Sequence, residues 1–169
     1  IVTILISGTI SFASNELMAV SSVGVAFVIL MVIVMVGIVF DVIGVAVTSA
    51  DEKPFHSMAA RKVPGAQEAI VLLRSAERVS SICNDVVGDI CGVVSGSAAA
   101  TIAAQVLSSA VWTWPQMISL LMSAFVAGLT VGGKAIGKTF AINSCTEIVS
   151  FVGRMIYLLR RIPDLFKKK

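Results

Sequence analysis

Lysine and arginine are missing from the two longest apolar parts of this chain. None of the 13 stands before Lys53, and none lies between Arg78 and Lys134. Charge of either sign is scarce, at 14% of residues against 57% apolar, and the mean hydropathy is +0.96. Soluble domains carry about a quarter charged residues, so this composition excludes an aqueous globular fold and points to a bilayer that hides the apolar surface. The net charge of +3 would suit a nucleic acid. No stretch interleaves basic and aromatic residues, however, and no nucleic-acid binding is expected.

Other absences narrow the chemistry. His56 is the one histidine, so no imidazole stands near Ser95-Gly96-Ser97 to activate a hydroxyl. Gly132-Gly133-Lys134 followed by Lys138-Thr139 lacks the spacing of a phosphate loop, and no strand precedes it. No enzyme is expected. Cys83, Cys91 and Cys145 show neither CxxC nor His-paired spacing; the first two sit in an apolar segment and read as small packing residues. No basic segment followed by a cleavage site marks a signal peptide.

What remains is an all-α integral membrane protein of about four transmembrane helices, with interfacial amphipathic helices in a cytoplasmic loop and a C-terminal tail. The spans fall near residues 1–17, 20–50, 82–111 and 116–133, within a transmembrane domain of residues 1–139. The first is short of the ~20 residues a span needs, and residues preceding Ile1 are expected to complete it. The second is longer than required, so it should tilt or project. The loop 51–81 carries Pro54 and Pro64-Gly65 as punctuation, and the spacing Ala66-Ala69-Ile70-Leu73 predicts a short amphipathic helix at the interface. Trp112-Thr113-Trp114-Pro115 reads as an aromatic belt at a turn. In the tail, 140–169, Ile148, Phe151, Val152, Met155, Leu158 and Leu159 alternate with basic residues, which predicts a juxtamembrane amphipathic helix. All lysines and arginines lie in the 51–81 loop or after residue 133. Positive charge collects on the cytoplasmic side, so both termini and the loop are expected there, in a plasma membrane.

Gly88, Gly92 and Gly96, continued by Ala100 and Ala104, recur every four residues, as do Ala124, Gly128 and Gly132. Such stripes let helix backbones approach closely. Packing within one bundle is the first expectation for them, and homodimerisation or a membrane-protein partner the second.

Three acids interrupt the spans: Asp41, Asp85 and Asp89. A carboxylate in hydrocarbon costs at least about 2.5–3.5 kcal/mol, so such residues face partners or water and often serve function. Counted from the cytoplasmic ends of their helices, Asp41 lies roughly 13 Å deep, Asp89 roughly 12 Å and Asp85 about 6 Å. Antiparallel helices would bring Asp41 and Asp89 to one level, while Asp85 and Asp89 share a face. Asn84 adjoins them, and Thr48 and Ser49 add hydroxyls near the mouth. No basic residue occurs within a span to neutralise these acids. They are protonated and hydrogen-bonded between helices, or hydrated, or they hold a cation. An oxygen-only donor set suits a hard cation such as Mg²⁺ or Ca²⁺, and Na⁺ also fits.

The run Phe40-Asp41-Val42-Ile43-Gly44-Val45-Ala46-Val47-Thr48-Ser49 resembles the FSxxETAxxS signature of the CNNM/CorC (cyclin M-type magnesium transporter) transmembrane domain. Ala66-Gln67-Glu68-Ala69 after basic residues, Cys83-Asn84 at the GN motif, and Gly132–Ala141 at GExxPKxxA follow in the family's order. The resemblance covers roughly residues 30–160. It implies a three-span, dimeric Mg²⁺-transport domain whose ion is held by polar residues of two helices, here Ser49, Asn84 and the carbonyls around Gly88. The chain departs at Gly44, where the family carries Glu, at Lys134 (Glu) and Gly137 (Pro), and at Gly88 (Asn), and no CBS pair lies within it. Asp41, Asp85 and Asp89 are acids that the family pattern lacks.

Overall fold

A computed structural model describes residues 8–14, 16, 21–109 and 115–166. Among these, every regular element is helical. In chain order they are α1 (Val23–Ser49), α2 (Lys53–Ala60), α3 (Ala66–Arg74), α4 (Ala76–Ser81), a π-helical stretch (Ile82–Gly88), α5 (Asp89–Ser109), α6 (Pro115–Asn143) and α7 (Cys145–Phe166). Residues 8–14 are helical as well. Three helices are long and apolar enough to cross a membrane: Val23–Ser49, the continuous Ala76–Ser108, and Gln116–Asn143. The expected span at 1–17 lies mostly outside the described residues, as does the Trp112-Thr113-Trp114 turn.

Two boundaries differ from expectation. The last span does not stop at Gly132-Gly133 but runs unbroken to Asn143. A glycine in a helix interior costs about 1 kcal/mol, yet in hydrocarbon a broken helix would strand backbone groups that have no water to bond, which costs more. The tail helix is thus separated from the last span by Ser144 alone. The other span starts earlier, at Ala76 rather than Ile82, because polar Ala76–Ser81 continues straight into it.

The chain divides into two compact units, Ile1–Phe40 with Val86–Ala135, and Asp41–Asp85 with Ile136–Lys169. In the first unit, Ala26, Leu30 and Val34, spaced by four on α1, bury against Ala98, Ala99 and Ile102 of α5 and Val126 of α6. The rings of Phe27 and Phe125 stack at 6.5 Å. Helix contact here relies on small residues: a methyl at Gly37 would come within 2.9 Å of Cys91 Cβ, and one at Gly133 would overlap the end of the Ile38 side chain. Lipid is as apolar as leucine, so close backbone approach and dispersion, rather than water exclusion, hold such helices together.

The second unit packs around a buried aromatic ring. Phe55 of α2, fully buried, belongs to one core cluster with Ala46 and Val47 of α1, Ala69 and Leu73 of α3, Ala141 of α6 and Val149 of α7. The loop expected at 51–81 is therefore folded: α2 packs on α3, and α3 packs on α7. Helix α2 ends in a Schellman turn, with Lys62 N–H bonded to Ala59 O (2.9 Å), Val63 N–H to Met58 O (3.1 Å), and Lys62 in the left-handed conformation (φ 56°). Pro64 then forbids continuation. Gly65, at φ 88°, opens α3 in a conformation that side chains resist, and its backbone lies directly on Gly153 and Arg154 of α7. A methyl at Gly153 would strike Gly65 O and come within 3.0 Å of Ala69 Cβ. Backbone-to-backbone contact through two glycines thus fixes the seat of α7.

Candidate functional site

The C-terminal third of α1 begins at Asp41. In a helix, residues three and seven positions apart share a face, so Asp41, Gly44 and Thr48 line up. Asp41 is 5% exposed, and its Oδ2 is sealed from solvent; with Ser95 it forms the buried polar set among the described residues. The Thr48 hydroxyl is spent locally, donating to Val45 O at 2.9 Å with Gly44 O at 3.3 Å. Ser49 is exposed.

Facing Gly44 is Asn84. A methyl on Gly44 would sit 3.0 Å from Asn84 Cγ, 3.2 Å from Nδ2 and nearer still to Oδ1. A side chain at 44 would have to displace the Asn84 amide. Asn84 Nδ2 donates to Ser80 Oγ at 3.2 Å, one turn back along α4. The amide oxygen Oδ1 is buried and receives no hydrogen bond among the described residues. A buried acceptor left unsatisfied costs about 1–3 kcal/mol, so this oxygen is poised for a donor or a cation. The segment that presents it, Ile82–Gly88, is π-helical. Such insertions re-aim side chains within a helix and recur at functional sites.

The remaining expected ligands separate into two groups. Asp85 is exposed, and Ser81 Oγ donates to its Oδ2 at 2.9 Å. Asp89 is also exposed, and Gly88 buried, and both belong to the first unit rather than the second. Within the second unit the structure thus brings together the Gly44 face and Asn84, while Ser49 and Asp85 lie at the surface. Among the described residues no three His, Cys, Asp or Glu side chains gather as a metal-holding group. A cation at Asn84 would therefore draw on mixed oxygen donors, a carboxylate with amide, hydroxyl and carbonyl oxygens, which is the donor chemistry hard cations accept.

Sequence reasoning named Gly44 only as a departure from the family pattern, without its contact to Asn84, and missed Ser80. The Ser80-Ser81 pair placed four residues before Asn84-Asp85 is a legible signal, since i and i+4 side chains meet on a helix. Nothing in the residue order announced that Asn84 would lie against Gly44. Cys83 is buried, and Cys91 packs on Gly37, as small apolar fillers.

Among the described residues, part of the small-residue stripes faces open space, while Gly88 is buried. Gly92, Gly96, Gly128 and Gly132 have nothing among the described residues within 4 Å of where a Cβ would stand. Gly92, Gly96, Ala100 and Ala104 are exposed along one face of α5.

Comparison of the chain with known protein families, with characterised proteins and with solved structures found no match.

Proposed function

We propose that this protein binds a hard divalent cation within the membrane, with Mg²⁺ as its cargo, in the manner of a CNNM/CorC transmembrane domain. The observation that carries the reading is the Asn84 amide oxygen, buried and without a hydrogen-bond donor among the described residues, pressed against Gly44. Gly44 stands where the resembling family carries Glu, and the amide lies where a side chain at 44 would be. One oxygen donor is exchanged for another. Asp41, one turn away on the same face of α1, supplies negative charge in a place where a carboxylate is expensive to keep. Exposed Asp85 and Ser49 mark the aqueous approach. The same reading sets the Lys- and Arg-bearing unit on the cytoplasmic side of the plasma membrane.

Thermal unfolding of the full chain in detergent tests it. Mg²⁺ at about a hundredfold above its Kd should stabilise the protein by about 2.7 kcal/mol, against a K⁺ control of equal ionic strength. Asn84→Leu and Asp41→Asn should each erase the response. If both variants keep the full Mg²⁺ response, the cation site is not here and the reading fails.

A second reading, a scaffold or homodimer assembled through α5, is favoured by the open space before Gly92 and Gly96. Gly92→Leu should then abolish a crosslinked dimer, or a co-purifying membrane partner, while leaving the Mg²⁺ response intact.

A further inference from the structure

Helix α7 is amphipathic twice over. One side, Val149 and Gly153, is buried on α3. The apolar arc does not end there. Phe151 (65% exposed), Met155, Leu158 and Leu159 (61%) continue it on the free side of the helix. Their spacing of four, three and one places them in a single stripe. Arg154 and Arg161, seven residues apart, run along one edge of the stripe; Arg160 lies toward the other side. All three are exposed, and none has an ion-pair partner among the described residues. The segment Cys145–Arg161 holds one acid, Glu147.

We infer that this free face of α7 docks on an anionic phospholipid layer, with Phe151, Met155, Leu158 and Leu159 among the upper acyl chains and Arg154 and Arg161 against the headgroup phosphates. Three observations select lipid as the occupant. Ser144 alone joins α7 to a helix long and apolar enough to cross a membrane, so the chain delivers α7 to a bilayer surface. An exposed apolar stripe edged by arginine matches an interfacial helix, which lies in the headgroup plane. Exposed guanidiniums complement phosphate with forked hydrogen bonds. The docking does not depend on the cation site: it uses no residue of the Asn84–Gly44 contact.

The test uses the full chain in vesicles, with Trp112→Phe and Trp114→Phe as background and Phe151→Trp as the reporter. Vesicles of phosphatidylcholine with brominated acyl chains are compared with vesicles in which about a third of the lipid is phosphatidylglycerol. The Phe151→Trp indole should be quenched by the brominated chains and shielded from aqueous acrylamide, both more strongly in the anionic vesicles. Arg154→Gln with Arg161→Gln should lower the docked-to-free ratio by about fivefold per arginine, and only there. Met155→Trp repeats the measurement on the same stripe should Phe151→Trp fail to fold. Equal lipid quenching in neutral and anionic vesicles overturns the proposal, as does strong acrylamide quenching in both. Shielding from both quenchers, signifying a protein occupant or a second copy, overturns it too.

Discussion

The two units solve the problem of cohesion by opposite means. All but Lys134 of the 13 lysines and arginines belong to the second unit. There, amphipathic helices bury Phe55, Leu73 and Val149 together, so burial of apolar surface contributes to the stability, while Ile136, Phe140 and Ile142 of α6 in the same unit point outward. In the first unit, Val25, Val28, Val32, Met35, Leu120, Leu121 and Phe125 point outward, which only a hydrocarbon solvent tolerates. Its contacts rest on small residues such as Ala26, Ala98, Gly37 and Gly133, the last two seating the Cys91 and Ile38 side chains. The lesson is that burial has different currencies in the two halves: area removed from water in one, shape complementarity in the other.

Substitutions of comparable size should therefore have unequal effects. The largest is expected for Phe55→Ala, about 3–5 kcal/mol by the loss of buried surface and the cavity left behind, read as a drop in Tm of the detergent-solubilised chain. Gly153→Val should follow, at about 1–3 kcal/mol or more, because its methyls meet the Gly65 backbone, which cannot move aside as a side chain can. Limited proteolysis near residues 61–65 should accelerate in that variant, and no acceleration would mean that α7 is seated elsewhere. Gly44→Ala should cost roughly 1–3 kcal/mol by the same overpacking, and Asn84→Ala placed in the same chain should relieve most of it. Failure of the double variant to recover would break the contact described between α1 and the π-helical stretch. The smallest effect, within about 0.5 kcal/mol, is expected for Gly92→Leu in a monomeric detergent preparation. A large loss of monomer stability there would show that the α5 stripe packs within its own chain after all.

Much of the fold was legible from residue order, for particular reasons. The long Val-, Ile- and Ala-rich runs have one solution in a bilayer, since only an unbroken helix satisfies every backbone group. The Ala66-Ala69-Leu73 spacing correctly announced α3, because a 3.6-residue period marks the side that is buried. Gly132-Gly133 misled: glycine punctuates helices in water, and that rule weakens in hydrocarbon. In the candidate site, Asp41 and Asn84 stood out as polar residues within spans. The part played by Gly44 did not, because a glycine's importance depends on what is placed against it. The glycine stripes were visible as patterns, but periodicity alone does not say whether a neighbouring helix belongs to the same chain.

Residue order by itself determined the solvent of each segment, the helical class and the segregation of basic charge, since these follow from local composition and from backbone groups that hydrocarbon leaves no other way to pair. Tertiary structure alone decided which glycines carry contacts, that the 51–81 segment and the tail fold onto one another around Phe55, and that Asn84 lies against Gly44 with its oxygen buried. Those outcomes depend on which surfaces meet across distant parts of the chain, and no local pattern encodes the partner.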